Sequence, residues 1–180
     1  MVEGTLLVDE HVALVPLRIA DAEAYVPLVR ENAQRLARWF PWAQDGGDPV
    51  AIRAFLVTVE QQRTRAERNE TYAIVVDGAF AGALSLHDED MRNDCAELGY
   101  WIGERFGGRG VMTRSARALC AHAFGRGLHR LEIVTGVENA PSRALAERAG
   151  FRFEGVLRGR VATGRGYEDA ALYARLAGDP

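Results

Sequence analysis

The segment from residue 95 to residue 113 constrains the fold of this chain most. A run typical of a strand, residues 96–102, leads into a loop with four glycines and two arginines, and a helical run begins at about Val111. Glycines at a strand-to-helix turn let the backbone approach a ligand closely, and the first N–H groups of a helix have no partner within it. With the positive end of the helix dipole and the arginines nearby, the segment predicts a site for a phosphate-bearing molecule.

Two of the three common phosphate-binding patterns fit this segment poorly. A Walker-type P-loop requires a lysine followed by serine or threonine, whereas all 22 basic residues of the chain are arginines. The dinucleotide fingerprint requires G-x-G-x-x-G or a final alanine, and Gly108-x-Gly110 is followed at the third position by Thr113. The remaining pattern is Arg-x-x-Gly-x-Gly, formed by Arg105, Gly108 and Gly110. An ordinary glycine-rich turn that caps a helix is the alternative.

The pattern over residues 105–110 is similar to the acetyl-CoA pyrophosphate loop of the GNAT superfamily of N-acetyltransferases. Further motifs resemble the RimJ/RimL-type branch, the ribosomal-protein N-terminal acetyltransferases and their relatives, over about residues 8–176. These motifs are RWFPW at 38–42, GYWI at 99–102, ENAPS at 138–142, AGF at 149–151, GVLR at 155–158 and LY at 172–173. The resemblance implies a single GNAT-like N-acetyltransferase domain over residues 1–180, of the α/β (α+β) class, with acetyl-CoA as co-substrate.

Strand-like and helix-like runs alternate along the chain. Strands are predicted over residues 12–16, 71–76, 80–87, 95–102, 129–137, 151–157 and 168–176, and helices over 21–32, 49–68, 111–127 and 141–149. Pro27 predicts a kink or a break in the first helix, Asp77-Gly78 is typical of a hairpin turn, and residues 88–94 read as a polar turn. We expect a mixed, mostly antiparallel central sheet with flanking helices, whose strands 95–102 and 129–137 run parallel and splay around the cofactor.

Composition and charge narrow the class of protein. The chain is 48% hydrophobic and 26% charged, which is typical of a globular protein, and no apolar run approaches the ~20 residues of a membrane span. No secretory leader is visible at the start, and Cys95 and Cys120 lack the spacing of a metal or redox motif. A net charge of −3 argues against general nucleic-acid binding. We expect a cytoplasmic protein without nucleic-acid, membrane or metal partners, and a homodimer stays open.

The resemblance implies which residues hold acetyl-CoA. They are the end of the strand, the glycine-rich loop, the first turn of the next helix and two residues of the ENAPS motif: Trp101, Ile102, Arg105, Gly107, Gly108, Arg109, Gly110, Val111, Met112, Thr113, Asn139 and Ser142. Asn139 is expected to bond to the pantetheine amides. Alternatively, Asn139 only caps the helix that follows it.

Acetyl transfer needs a base for the amine and a hydrogen-bond donor for the departing thiolate. Strand alternation places Glu97 on one face just before the loop, where members of this superfamily often carry the base. The alternatives are a solvated strand glutamate or one that holds Arg105. The acidic turn at 88–90 is a second candidate for the base. The tyrosine that many members carry four residues before the Gly-Phe pair is replaced by Ala146. The resemblance therefore implies Ser142 as the donor to the sulfur, unless it only caps its helix.

The acceptor is expected to be a primary amine bound near Trp39, Trp42, His87 and Glu97, although the tryptophans could instead only pack the first helices. Residues 1–90 hold 8 arginines and 15 acidic residues, a negative balance that suits a cationic amine. Residues 91–180 hold 14 arginines and 10 acidic residues. Deprotonation at pH 7 costs an α-amine only ~1 kcal/mol and a lysine ~4–5 kcal/mol. We predict direct transfer from acetyl-CoA to an N-terminal α-amine of a protein or peptide. The alternatives are a small-molecule amine, such as an antibiotic or polyamine, and a catalytically silent acyl-CoA-binding module.

Overall fold

A mixed sheet of eight strands runs through the residues that the computed structural model describes, namely 2–64, 69–163 and 166–180. The strands and helices are, in chain order, β1 (Leu6–Leu7), β2 (Val12–Pro16), α1 (Ala22–Glu31), α2 (Ala33–Ala37), α3 (Pro49–Thr64), β3 (Glu70–Val76), β4 (Ala79–Asp90), β5 (Cys95–Ile102), α4 (Val111–Gly125), β6 (Arg130–Gly136), α5 (Ala140–Arg148), β7 (Arg152–Thr163) and β8 (Gly166–Leu176). Short 3₁₀ helices lie at Ile19–Asp21, Pro41–Ala43 and Glu104–Phe106. Within the described ranges, no helix is long and apolar enough to cross a membrane.

The strand order β1-β2-β3-β4-β5-β6-β8-β7 combines antiparallel neighbours with one parallel pair. Residues 95–97 of β5 pair with residues 130–132 of β6, and the two strands separate beyond that point. Strand β8 lies between β6 and β7 and is antiparallel to both. The predicted fold class is confirmed, and so is the pair of parallel strands that splay apart.

The turns at Asp77-Gly78 and at Asp48 follow the local sequence chemistry. Asp77 and Gly78 both have positive φ, +48° and +81°, which matches the type I′ turn expected of Asp-Gly between β3 and β4. The Asp48 carboxylate accepts hydrogen bonds from the backbone N–H groups of Val50 and Ala51, at 3.1 and 3.3 Å, and so caps α3. The predicted end of this helix, at about residue 68, lies outside the described residues.

Helix α1 is continuous through Pro27, so of the predicted kink or break the break is wrong. An interior proline costs about 3 kcal/mol, but Tyr25, Leu28 and Val29 of the same helix are buried. Each such side chain contributes about 1.5–3 kcal/mol on burial, which together exceeds the cost of the proline. Asp21 precedes the helix as predicted, but its carboxylate accepts the Arg18 backbone N–H at 2.8 Å instead of capping α1.

Strand β4 continues through part of the predicted polar turn, so the turn is shorter than expected. Asp90 pairs with Cys95 of β5, and a bulge between His87 and Asp90 absorbs the irregular register. Asp88, within the bulge, has φ +52°. Glu89 turns inward, where its carboxylate lies 3.0 Å from the Arg126 guanidinium. The sequence did not predict this end of β4, because strand prediction depends on alternating apolar residues. An inward-facing carboxylate with a cationic partner interrupts that alternation.

Two hydrophobic cores cover the two faces of the sheet. Helices α4 and α5 pack on one face, around buried side chains such as Leu119 and Ala146. Helices α1, α2 and α3 pack on the other face, around side chains such as Leu56 and Trp101. Strand β5 supplies Leu98 to the first core and Trp101 to the second. The point at which β5 leaves β6 therefore lies between both helical layers.

Candidate active site

A cavity of about 360 Å³, here called the cleft cavity, lies where β5 and β6 separate. The strands no longer pair there, so the backbone edges of residues 98–102 and 133–136 face the opening. Eight residues predicted from the sequence line the cavity: Trp39, His87, Glu97, Trp101, Ile102, Met112, Asn139 and Ser142. The structure therefore brings the predicted base, the predicted sulfur donor and part of the predicted cofactor site to one opening.

The glycine-rich loop connects β5 to α4. Gly108 and Gly110 have φ of +73° and +69°, a left-handed conformation that glycine adopts without strain. Gly110 is the residue just before α4, and no side chain among the described residues caps the helix there. The first N–H groups of this 15-residue helix therefore point into the loop with the positive end of the helix dipole. The arrangement can hold an anion through backbone groups.

The two arginines of the loop contribute in different ways. The Arg105 guanidinium lies 3.3 Å from the Glu31 carboxylate and 5.0 Å from the centre of the Phe106 ring. Both partners of this ion pair are about half exposed, so the pair is worth about 0–1 kcal/mol and leaves Arg105 able to turn toward an anion. Arg109 is exposed, and its backbone carbonyl accepts a hydrogen bond from Arg114 at 2.9 Å.

Several predicted cofactor residues face the protein interior. The side chains of Val111 and Met112 are buried in the core under α4, so Val111 can offer an anion only its backbone N–H. Thr113 is partly buried. The Trp101 indole packs on the opposite face, where its Nε1 donates to the Tyr25 hydroxyl at 3.2 Å. The Ile102 carbonyl accepts a hydrogen bond from Arg35. These residues shape the site through their backbone and their packing.

Asn32 joins the helical layer to the loop, and the sequence did not reveal it. Its side chain is buried, with 4% exposure. The amide oxygen accepts the Glu104 backbone N–H at 2.8 Å, and the amide nitrogen donates to the Leu28 carbonyl at 2.8 Å. In the sequence Asn32 stands after a helical run, where asparagine usually serves only to end a helix. No local signal distinguishes the two roles.

Glu97 lies on β5 directly opposite His87 of β4. Its carboxyl is half-buried, and this burial raises its pKa above the ordinary value for glutamate. The positive charge of Arg160, and that of His87 when protonated, oppose the increase, while Asp88 and Glu132 add to it. A carboxylate with a raised pKa at a cavity wall is suited to accept a proton near neutral pH.

His87 lies between Glu97 and the bulge of β4. Its Nδ1 is 3.2 Å from the Asp88 carboxylate, and a Cβ placed on Gly99 would lie only 2.7 Å from its Nε2. Gly99 thus leaves room for the imidazole. One ligand atom each from His87, Asp88 and Glu97 lie within 4.8 Å of one another. These three side chains could hold a divalent cation, but they can equally form an imidazole–carboxylate group without one. The absence of a metal from the site stays a prediction.

Tyr100 supplies a hydroxyl that the sequence motif lacks at Ala146. The Tyr100 and Ser142 hydroxyl oxygens are 2.7 Å apart, and burial raises the pKa of Tyr100 to about 12. Asn139 caps α5 by accepting the Ser142 backbone N–H at 3.3 Å, so the cap does not use the Ser142 hydroxyl. Strand alternation could have indicated Tyr100, because it faces the side opposite Glu97, where α5 packs.

The aromatic residues near the start divide between two cavities. Trp39 lines the cleft cavity and packs over Gly136, whose Cβ position is 3.2 Å from the indole. Trp42 instead lines a neighbouring cavity of about 380 Å³, here called the aromatic chamber. Phe40 and His87 lie on the walls of both. The acceptor residues predicted together thus belong to two adjoining cavities that share wall residues.

Two further polar residues of the cleft cavity were not predicted from the sequence. Thr135 on β6 is buried with 7% exposure, and Glu168 on β8 lines the same cavity. The Glu168 carboxylate accepts a hydrogen bond from the Thr163 hydroxyl at 3.1 Å. Both residues reach the site through long-range strand pairing, which the sequence does not specify locally.

Known proteins share this fold and much of this sequence. A family model described as an acetyltransferase (GNAT) domain matches residues 11–152. The ribosomal-protein-serine acetyltransferase of Escherichia coli (strain K12) is 33% identical over 182 residues, covering 96% of this chain and 96% of that protein. YdaF of Bacillus subtilis (strain 168), provisionally named a ribosomal N-acetyltransferase, is 34% identical over 174 residues, covering 96% of this chain and 94% of YdaF.

A solved structure agrees with the same assignment. The ribosomal L7/L12 alpha-N-protein acetyltransferase RimL, in complex with coenzyme A, superposes with a TM-score of 0.90 at 28% identity and covers 96% of this chain and 97% of its own. Three observations indicate the same family: the fold, the family match over residues 11–152 and the sequence identity over nearly the whole length. The chain therefore belongs to the GNAT acetyltransferase family and works as an acetyl-CoA-dependent N-acetyltransferase.

Proposed function

We propose that this enzyme acetylates the α-amine at the N-terminus of a protein or peptide. The half-buried Glu97 carboxylate on the wall of the cleft cavity is the observation that carries the proposal. A carboxylate can deprotonate an α-amine at modest cost, whereas a lysine side chain requires several kcal/mol more at pH 7. Relatives named as ribosomal-protein acetyltransferases support the same acceptor class. A protein N-terminus as acceptor is also consistent with the predicted cytoplasmic location, because proteins are synthesised in the cytoplasm.

The cleft residues fit acetyl-CoA. The left-handed backbone at Gly108 and Gly110, with the start of α4, offers N–H groups to a pyrophosphate. The open edge of β5 beyond residue 97 offers backbone groups to the pantetheine amides. Ser142 and Tyr100 lie farther along the same cavity, at a position suited to the sulfur.

The proposed reaction uses two groups of this chain. Acetyl-CoA supplies the thioester. Glu97 accepts one proton from the ammonium, directly or through water, and the neutral nitrogen then attacks the thioester carbonyl. The C–N bond forms, the C–S bond breaks, and sulfur leaves with the electron pair. The Ser142 hydroxyl donates a hydrogen bond to the thiolate, which takes the second nitrogen proton to give the free thiol. Glu97 returns its proton to solvent.

The acceptor class is tested with two matched peptides. A peptide that begins with serine or alanine should be acetylated faster at pH 7 than an N-terminally blocked twin that contains lysine. Raising the pH by two units should narrow the gap, because the larger deprotonation cost of lysine falls with pH. Mass spectrometry of the products measures both rates. A faster reaction of the blocked peptide would refute an α-amine acceptor. Reaction only with an aminoglycoside or a polyamine would establish a small-molecule acceptor instead.

Ser142→Ala should lower kcat by roughly 10²-fold, as removal of a hydrogen-bond donor to developing charge does elsewhere. Acetyl-CoA affinity should stay within threefold, because the cap of α5 uses Asn139. Tyr100→Phe is the matched variant: it keeps the buried ring, removes its hydroxyl, and should produce a smaller loss. Single-turnover rates with saturating acetyl-CoA measure both. An unchanged kcat in Ser142→Ala would remove this residue from the mechanism.

A further inference from the structure

The aromatic chamber has walls from three helical segments and the sheet. Its rings are supplied mainly by Tyr25 of α1, Trp42 of the Pro41–Ala43 turn, Phe55 of α3 and Trp101 of β5. Tyr25 holds them together, with ring centres 5.2 Å from Trp101 and 6.3 Å from Phe55. The Trp42 and Trp101 rings are 6.3 Å apart. The chamber is thus preformed by rings that already contact one another.

The aromatic chamber adjoins the cleft cavity, in which transfer would occur. Five residues lie on the walls of both cavities: Phe40, His87, Gly99, Tyr100 and Trp101. Glu97 lies two residues before Gly99 on the same strand face and opposite His87. A group inside the chamber can therefore be attached to an amine that lies beside Glu97.

The side chains that line the aromatic chamber favour binding of an apolar group. Among the described residues, no arginine lines the chamber, and its carboxylate, from Asp48, already accepts two backbone N–H groups. Trp42 and Phe55, which both line the chamber, are 43% and 45% exposed. Large aromatic side chains left open to water beside a cavity are typical of a surface that a ligand covers.

We propose that the aromatic chamber binds the side chain of the acceptor's first residue and favours a large apolar side chain, such as that of phenylalanine or leucine. The proposal rests on the α-amine acceptor proposed above. A serine or alanine side chain would leave the ring faces in contact with water. A phenylalanine or leucine side chain would cover them and gain the burial energy of an aromatic or aliphatic group.

A peptide series that differs only at the first residue tests the chamber. We expect kcat/KM for peptides beginning with phenylalanine or leucine to exceed that of the alanine and serine peptides by roughly 10–100-fold. Phe55→Ala should remove most of this preference, measured as the ratio of kcat/KM for the phenylalanine peptide to kcat/KM for the alanine peptide. Val50→Ala is the matched control, because Val50 is on the same helix, 74% exposed, and does not line the chamber. Its preference should equal that of the parent.

A narrowing variant gives an independent measure. Ala51→Leu places a larger side chain on the chamber wall and should lower kcat/KM for the phenylalanine peptide at least tenfold relative to kcat/KM for the alanine peptide. Serine or alanine peptides that react as well as the phenylalanine peptide would overturn the proposal and leave the α-amine acceptor intact. Equal losses for all peptides in Phe55→Ala would overturn it too. If no peptide reacts, the α-amine acceptor fails and the proposed occupant fails with it.

Discussion

Replacing Glu97 with glutamine should lower the rate of acetyl transfer by roughly 10²–10⁴-fold, the range that a general base contributes. Glutamine keeps the size of the side chain and one acceptor oxygen, but it cannot accept the ammonium proton. Acetyl-CoA affinity should stay unchanged, because the glycine-rich loop and α4 lie beyond the other end of β5. Calorimetric binding and single-turnover rates separate the two effects.

The pH dependence of the same variant gives a sharper test. Burial raises the pKa of Glu97, so the parent enzyme should lose activity on acidification at a higher pH than an ordinary glutamate would allow. Above that pKa the carboxylate is ionised and competent as a base. The deficit of Glu97→Gln should shrink as the pH rises toward the pKa of the amine, because the amine then loses its proton to solvent.

Glu132→Gln is the matched control for Glu97→Gln. Glu132 pairs with Glu97 across β5 and β6, but its carboxylate is 2.7 Å from Arg130 and does not line the cleft cavity. We expect its rate to stay close to that of the parent. A loss in Glu97→Gln that does not vary with pH, or no loss, would make Glu97 a structural residue. Asp88 and Glu168, the carboxylates nearest the same site, would then be tested in its place.

The features that could be predicted from the sequence are those set by neighbouring residues. The strand, loop and helix around Gly108 follow from glycine conformation and helix-end chemistry. The Asp77-Gly78 turn follows from its preference for positive φ, and the cap at Asp48 from its position before a proline. The family motifs then placed β5 and β6 in parallel, which no local pattern would specify.

The features that could not be predicted depend on pairs far apart in the chain. Tyr100 and Ser142 are 42 residues apart, and Asn32 and Glu104 are 72 residues apart. The first pair forms when α5 packs on one face of the sheet, and the second forms when α1 packs on the other face. The separation of Trp39 from Trp42 into two cavities likewise depends on the turn at Pro41–Ala43. Sequence spacing groups such residues, and the packing decides which space each one lines.

Gly108→Asp should abolish measurable acetyl-CoA binding, a loss of 10²-fold or more in affinity. A Cβ at this position meets no heavy atom within 4 Å, so the side chain has room. The positive φ of Gly108 strains any other residue. The added charge contributes the larger loss, because a carboxylate would stand at the N-terminal end of α4, where the loop must accept the negative pyrophosphate. Calorimetric titration with acetyl-CoA measures the loss directly.

Gly108→Asn separates the charge from the change in backbone. Asparagine matches aspartate in size and is among the residues that best tolerate positive φ, and φ at Gly108 is +73°. Its affinity for acetyl-CoA should fall far less than that of Gly108→Asp, and the difference should shrink as salt screens the added charge. If Gly108→Asp binds within threefold of the parent, the pyrophosphate does not lie at this loop. If the two variants are equally impaired, the loop contributes its shape to binding, and an electrostatic contribution at Gly108 is refuted.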